Sequence, residues 1–354
     1  MDKKRKVFVG LSGGVDSSVA ALRLIEQGYD VTGVFIKVWH PDFLVCNWEE
    51  ERLSAMRVAA HLDIPFLTCD AEARYRDDVA QYFISEYVAG RTPNPDVMCN
   101  RHIKFGSFVD FAKAHKADFI ATGHYARRID KNGKAQLCRG IDKGKDQSYF
   151  LWTLTKEQLE YTLLPVGDSE KEVIRKEATS AGLPTATKKD SQGVCFLGHI
   201  DIPDFISHFT ELKEGNVLNE TGEVIGKHRG AVVYTLGQRH GFVVDTKDDQ
   251  RSVYYVKAKN IDKNTITVST DKPVLEKTNT LLLINTVLRE DLIVGEKVQA
   301  QTRYRQEPFV VEVTNFKDNK QIELKPEDDI EAVAKGQSCV LYKDNLCLGG
   351  GIIA

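Results

Sequence analysis

The 354-residue sequence has no apolar run approaching the ~20 residues that a membrane-spanning helix needs. Its start, MDKKRKVFVG, has no apolar signal core, and KKRK reads as the charged flank of a first strand rather than a nuclear address. Together these features point to a cytoplasmic protein. No CxxC pair occurs, and the seven cysteines, at 46, 69, 99, 138, 195, 339 and 347, are odd in number and scattered. That argues against a secreted disulfide framework and a closed zinc site, so each cysteine defaults to a small apolar core residue. There is no excess of positive charge: 48 Lys and Arg face 51 Asp and Glu, for a net charge of -3. A uniformly basic coat for nucleic acid is excluded, although a local basic face is not. GxxxxGK[ST] and GxGxxG are both missing, which removes a kinase-type P-loop and a nicotinamide-cofactor fingerprint. No internal repeat or low-complexity tract is present.

The first part of the chain alternates strand-like runs (6–11, 30–39, 64–69, 118–122) with helical patterns (from 15 to a stop at Gly28, then 51–62, 74–88, 104–115). Alternation of this kind implies βαβ units and a parallel sheet covered on both faces. Helical signals continue over 146–158, and a capping box at Ser169 and Glu172 opens a further helix ending near Gly182. From about 215 the texture changes to short β-branched runs (231–236, 252–259, 265–269, 281–288, 297–303, 309–316, 321–325, 338–342) separated by turns. The fold class expected is therefore α/β followed by all-β: a catalytic domain over 1–204, then two small β-barrels over 205–274 and 275–354.

SGGVDSS at 12–18 joins a strand to a helix. Gly13 and Gly14 allow a sharp turn, and the loop amides with the helix N-terminus form an anion site, helped by the hydroxyls of Ser12, Ser17 and Ser18. Asp16 is out of place there, because a carboxylate repels phosphate unless a cation intervenes; a Mg²⁺ bridging Asp16 to phosphates resolves the conflict. The motif resembles the PP-loop of the ATP pyrophosphatases, which adenylate a carbonyl oxygen.

RTPNPDVMCNRHIKFG (91–106) carries two prolines and reads as a shaped loop rather than a helix, with Asn94 and Asp96 as hydrogen-bonding edges. Cys99 stands beside Arg101, His102 and Lys104, a setting that favours thiolate over a merely buried cysteine. In DSQGVCFLG (190–198), Cys195 is as readily structural as reactive on its residues alone. Residues 91–145 hold 12 Lys or Arg against five Asp, a net of +7, whereas 46–90 hold four against nine, a net of −5. The basic stretch also contains GHYARR (123–128), in which Gly123 ends a strand and His124 is either a ligand contact or an ordinary polar loop residue. The combination favours a polyanion partner.

SGGVDSS, NPDVMC, GHYARR, KDQSYFLW, DSQGVCF, RYR and GQSCVLY, taken together, resemble the bacterial tRNA-specific 2-thiouridylase family, over effectively the whole chain. The resemblance implies 2-thiouridine formation at the wobble position of the tRNAs for Lys, Glu and Gln, with ATP and Mg²⁺ as cofactors. By the same resemblance Gly10, Leu11, Ser12, Gly13, Gly14, Val15, Asp16, Ser17 and Ile36 hold ATP, and Gly123 completes the site. Ile36 stands where the family usually carries Met or Leu, so its contact is apolar packing on adenine. Asn94, Pro95 and Asp96 contact the target base. Cys99 is the nucleophile and Cys195 the persulfide carrier, loaded by a persulfide sulfur donor. His124, Lys145, Asp146, Gln147, Arg303, Tyr304 and Gln337 touch tRNA. An amidotransferase would need an ammonia source, and no glutaminase constellation is visible; a passive nucleotide-binding module would need neither cysteine nor the barrels.

Overall fold

A computed structural model describes residues 4–44, 48–189, 200–245, 252–318 and 320–354. Among them, no helix is long and apolar enough to cross a membrane. Cys46 and Cys195 lie outside the described residues, as does all of DSQGVCFLG.

The N-terminal sheet is built from β1 (Lys6–Gly10), β2 (Asp30–Lys37), β3 (Phe66–Asp70), β4 (Phe119–Ala121) and β7 (Thr162–Leu163), in the order β3-β2-β1-β4-β7. Every pairing is parallel; in register, Val9 of β1 faces Gly33 on one side and Ala121 on the other. Alternation along β1 sends Val7 and Val9 into one apolar layer and Phe8 into the other, all three fully buried. Helices α1 (Val15–Glu26), α2 (Trp48–His61) and α6 (Lys171–Ser180) supply the first layer through Val19, Leu24, Val58 and Ile174. The second layer comes from α3 (72–88) and α4 (95–114), through Tyr75, Val79, Ile103, Phe105 and Phe108. The chain leaves β1 for β2 on one side and returns as β4 on the other. The crevice beyond the C-terminal ends of β1 and β4 is therefore the place where such sheets bind ligands.

Several expectations need correction. The segment 91–106 is not all loop: Asn94 caps α4 by accepting from the Val97 amide at 3.2 Å, and Pro95 occupies its first turn, where no N–H is needed. Cys99 thus sits inside a helix, and the wider helical turns over Asn100–Ser107 follow it directly. The run 146–158 is broken into a 3₁₀ turn (Ser148–Leu151) and a short helix α5 (Lys156–Glu160), capped reciprocally by Thr155 and Gln158. Ser169 does not cap α6. Glu170 takes the cap position without a side-chain bond, and Ser169 Oγ instead accepts from Arg23 at 2.8 Å. Residues 231–236 are not a strand but a 3₁₀ turn over Ala231–Val233.

After α7 (Ile202–Ser207) come β8 (Gly215–Leu218), β9 (Val224–His228), β10 (Phe242–Val244), β11 (Tyr255–Asn260) and β12 (Thr265–Ser269), one sheet in the order β10-β9-β8-β12-β11. Its core of Val217, Tyr234, Val256 and Ile266 is shared with Phe83 and Tyr87 of α3. Then β13 (Val274–Leu275) pairs with β18 (Ile330–Glu331). The remaining strands are β14 (Leu281–Leu288), β15 (Lys297–Gln301), β16 (Phe309–Asp318), β17 (Gln321–Pro326), β19 (Ser338–Lys343) and β20 (Leu346–Ile353). They run β14-β17-β16-β15-β19-β20, and β20 pairs back onto β14, closing a barrel.

A hairpin that the sequence reading did not anticipate, β5 (Ala126–Lys131) and β6 (Lys134–Arg139), leaves the N-terminal domain and joins this barrel where Cys138 pairs with Leu346. Arg289, buried at the same seam, donates to the carbonyls of Trp152 and Leu154 at 2.8 Å each and of Cys347 at 2.9 Å. Removing the guanidinium orphans three buried carbonyls. Arg289→Met should therefore lower stability by about 2–4 kcal/mol in urea unfolding. An unchanged midpoint would show that the seam does not depend on it.

Candidate active site

β1 ends at Gly10, and the Leu11 amide still donates to Val34 at 2.8 Å, so the chain turns only at Ser12. Gly13 has φ 69°, and a Cβ there would lie 2.8 Å from Ser54 Cβ, which excludes a side chain on both counts. Gly14 is the extended N-cap of α1; its carbonyl accepts from Ser17 Oγ at 3.2 Å and Ser18 Oγ at 2.8 Å. The first-turn amides of Val15, Asp16 and Ser17 precede the first intrahelical bond, from Ser18 to Gly14, and a helix start of this kind favours an anion. Gly123, two residues past β4, comes so close that a Cβ would meet the Ser17 amide nitrogen at 2.6 Å. Ile36, buried near the end of β2, lies 3.8 Å from where a Gly10 Cβ would stand. The residues from Gly10 to Ser17 with Ile36 and Gly123 are thus brought to one end of the sheet.

Asp16 is engaged differently from the expectation. Its carboxylate accepts from Lys171 Nζ at 2.6 and 2.8 Å and from the Tyr125 hydroxyl at 2.7 Å. The cation that reconciles a carboxylate with this loop is a lysine from 155 residues away, which no local signal announces. Among the described residues no group of three His, Cys, Asp or Glu converges to hold a metal. In this arrangement the Asp16 carboxylate is held by Lys171 and Tyr125. A second ammonium, Lys188 Nζ, donates to the Gly13 carbonyl at 2.9 Å.

Cys99 is fully buried, packed in the same apolar layer as Ile36, Phe105 and Phe108. His124 links this helix to the phosphate loop. It follows Gly123, its Nδ1 lies 2.7 Å from Thr122 Oγ1, and its ring sits 5.8 Å from that of Phe105. Burial, and then the Lys104 ammonium, push the imidazole well below its usual pKa, so it is neutral at pH 7. The start of α4 is held by both later domains. The Thr92 amide donates to the Lys335 carbonyl at 2.8 Å, and Thr92 Oγ1 lies 2.9 Å from Thr235 Oγ1. Burial pushes the Cys69 and Cys339 thiols up to about 12 and raises those of Cys138 and Cys347, which keeps all four as inert core residues.

Tyr149, quoted in KDQSYFLW but given no role by the sequence reading, joins the remaining expected residues. Its buried hydroxyl meets the Asn94 side chain, the Thr302 carbonyl at 3.0 Å and the Ser338 carbonyl at 3.1 Å. Tyr304 stacks obliquely on Phe150 with centroids 4.6 Å apart. Arg303 spans the seam between the barrels, reaching Glu331 at 3.0 Å and the carbonyls of Ala332 and Leu236. The side-chain oxygen of Gln337 is buried without a partner among the described residues. Gln147 locks onto the backbone of Tyr125 from both sides, at 2.9 and 2.8 Å, and brings Lys145 to the same edge. Asp146 is spent on its own turn: its oxygens accept from Gly140, Ser148 and Arg139. Two arginines of the basic stretch are likewise engaged within the fold, while Arg101, Lys113, Lys116, Lys131, Lys134 and Lys143 stay exposed. Arg128 pairs with Asp130 at 2.8 Å, and Arg139 stacks on Tyr342 at 3.5 Å.

Comparison with known proteins gives this geometry its relatives. Residues 5–199 match the family model described as tRNA methyl transferase HUP domain, 203–270 the tRNA methyl transferase PRC-barrel domain, and 288–353 the aminomethyltransferase beta-barrel domain. A Proteus mirabilis protein named tRNA-specific 2-thiouridylase MnmA is 43% identical, covering 99% of this chain and 98% of that relative. The chain belongs to the MnmA family. A second relative of that name, from Photorhabdus laumondii, is 42% identical over 99% of this chain and 98% of its own length. Among solved structures, a 4-thiouridine synthetase–RNA complex with bound ATP is a remote likeness: 18% identity, TM-score 0.38, 58% of this chain and 50% of that one.

For this MnmA-family protein the buried His124 makes a pH prediction. The unfolded chain takes a proton on this histidine below about pH 6.5, whereas the folded chain resists it, so stability falls as pH drops from there. His124→Gln should flatten unfolding free energy against pH by up to about 1.4 kcal/mol per pH unit below 6.5. Equal slopes for the two proteins would mean that His124 takes up its proton in the folded state.

Proposed function

We propose that the protein is an ATP-dependent tRNA-uridine 2-sulfurtransferase, forming 2-thiouridine at the wobble position of the tRNAs for Lys, Glu and Gln, in the cytoplasm. One observation carries the reading: the phosphate loop and the Asn94–Cys99 turn are joined through Gly123 and His124, and that turn is clamped by both later domains. An enzyme that activates a base with ATP and holds a large RNA needs those two sites adjacent and the RNA-facing domains fixed to them. The names of the relatives supply the thiolation chemistry. Work then divides among a catalytic unit over 1–204 and RNA-facing units over 205–274 and 275–354.

In this mechanism the amides of Val15 to Ser17 receive the phosphates, and Ile36 packs on adenine. Mg²⁺ would accompany the ATP phosphates and neutralise their charge; Asp16, the carboxylate expected to meet it, is bonded to Lys171 and Tyr125 in this structure. Uridine leaves the anticodon stack and is received by Asn94, Pro95 and Asp96. Its O2 attacks the α-phosphorus, pyrophosphate leaves, and the N3 proton passes to solvent. A terminal persulfide sulfur on Cys195, loaded by an external persulfide donor, attacks C2, and AMP departs. Cys99 thiolate then attacks the inner sulfur, leaving 2-thiouridine and a Cys99–Cys195 disulfide that an external thiol reduces. Neutral His124, Lys145, Gln147, Arg303, Tyr304 and Gln337 line the approach of the tRNA. Asp146 serves the turn that presents Lys145 and Gln147. Methyl transfer, named in two family descriptions, would leave the phosphate loop and its paired lysine without a task.

The cysteines test the reading. Incubated with tRNA, ATP and a persulfide source, wild type should give 2-thiouridine by mass spectrometry. Cys195→Ser should not take up sulfane sulfur, and Cys99→Ser should load Cys195 yet release no thiolated tRNA. Wild-type thiolation by either variant would overturn the relay. Gly123→Ala, which drives a Cβ into the first turn of α1, should weaken ATP binding at least tenfold while tRNA affinity persists. Unchanged ATP affinity would place the nucleotide elsewhere.

A further inference from the structure

We infer that Lys171 is the pyrophosphate-directed cation of the phosphate loop, stored on Asp16 until ATP arrives. The inference rests on the ATP reading of that loop.

The positive end of a helix dipole is an unfavourable place for an ammonium ion and a favourable one for a carboxylate. α1 carries both there. Asp16 lies in its first turn, and Lys171 Nζ bonds both carboxylate oxygens, with only 11% of the lysine side chain exposed. Positive helix end and ammonium together exceed the single carboxylate, so the site has a standing appetite for a further anion. The amides of Val15 to Ser17, in the same turn, are where that anion would lie.

The lysine is held in this register by contacts that do not involve Asp16. Its own amide donates to Asp142 Oδ2 at 3.0 Å. Arg23 of α1 grips Glu177 of α6 through two bonds, at 2.6 and 2.8 Å, and reaches the Pro165 carbonyl and Ser169 hydroxyl at 2.8 Å each. α6 therefore cannot drift along α1. Tyr125 completes the store: its hydroxyl donates to Asp16 Oδ1, and its ring centroid lies 5.6 Å from the ammonium. An ammonium on a flexible stem, shared between a carboxylate and a ring face, can swing to a phosphate without any backbone movement.

At the adenylation step the uridine O2–Pα bond forms as the bond from Pα to the bridging oxygen breaks. That oxygen leaves with the electron pair, and the ammonium keeps its three protons while donating to the departing pyrophosphate. Asp16 is then the positioning residue and Lys171 the catalytic one.

A purely structural alternative predicts that Lys171 only neutralises Asp16, and a double variant separates the two. Full-length Lys171→Met, Lys171→Arg, Asp16→Asn and Asp16→Asn/Lys171→Met are titrated with inorganic pyrophosphate and with ATP in the absence of tRNA. Pyrophosphate release is then followed with tRNA present. Lys171→Met should weaken pyrophosphate binding at least tenfold and slow release by about 100- to 1,000-fold. Lys171→Arg should keep part of the affinity, and Asp16→Asn should keep most of it. The double variant should remain as poor as Lys171→Met. Recovery of wild-type affinity and rate in the double variant, or no loss in Lys171→Met, would overturn the assignment. If wild type binds pyrophosphate in this pattern but thiolates no tRNA, the functional reading fails while the role of Lys171 stands.

Discussion

The site depends on a missing side chain. Gly123 brings the end of β4 so close to the first turn of α1 that a single added carbon would lie 2.6 Å from the Ser17 amide nitrogen. Because β1 and β4 are neighbours in the sheet, this contact closes the crevice at the point where the strand order reverses. The loop after β1 supplies amides, and the turn after β4 supplies His124 and Tyr125. Each of the two then points to a different task. Tyr125 reaches back to Asp16 and Lys171 at the phosphate end, and His124 lies against the ring of Phe105, on the helix that carries Cys99. One close approach thus couples the first turn of α1 to the helix that carries Cys99.

The barrels are fastened to this centre rather than strung after it. The hairpin of β5 and β6 extends the C-terminal sheet, Arg289 holds three carbonyls across the seam, and Tyr149 ties Asn94 to Thr302 and Ser338. Tyr304, remote in sequence, packs on Phe150 beside this tie. Such an arrangement links Asn94 to the C-terminal barrel through side chains that are already in contact.

Much of this was legible in the sequence. Alternating apolar runs reported the parallel sheet, because a strand buried on both faces must be apolar throughout, as β1 is. SGGVDSS reported the sharp strand-to-helix turn, because only glycine tolerates the conformation and crowding at position 13. What stayed hidden was long-range. A lysine 155 residues from its carboxylate leaves no local pattern, and Asp16 alone suggested a metal. Two prolines in 91–106 argued for a loop, yet Pro95 sits in the one helical turn that needs no amide donor, so Cys99 is helical and buried. Charge counting over 91–145 also does not see that Arg128 pairs with Asp130 and that Arg139 stacks on Tyr342. The hairpin 126–139 was missed because its basic, polar strands lack the apolar alternation of a core strand; they are held by a neighbouring domain.

The central claim is that adenylation of a tRNA base and sulfur delivery occur in one joined site. The most direct measurement is a single-turnover quench with labelled ATP, tRNA and persulfide-loaded enzyme, reading pyrophosphate, AMP and 2-thiouridine from the same samples. The account predicts that pyrophosphate appears only when tRNA is present, precedes thiolated uridine, and matches it one for one. Sulfur incorporation without pyrophosphate release, or ATP cleaved to ADP and phosphate, would contradict it.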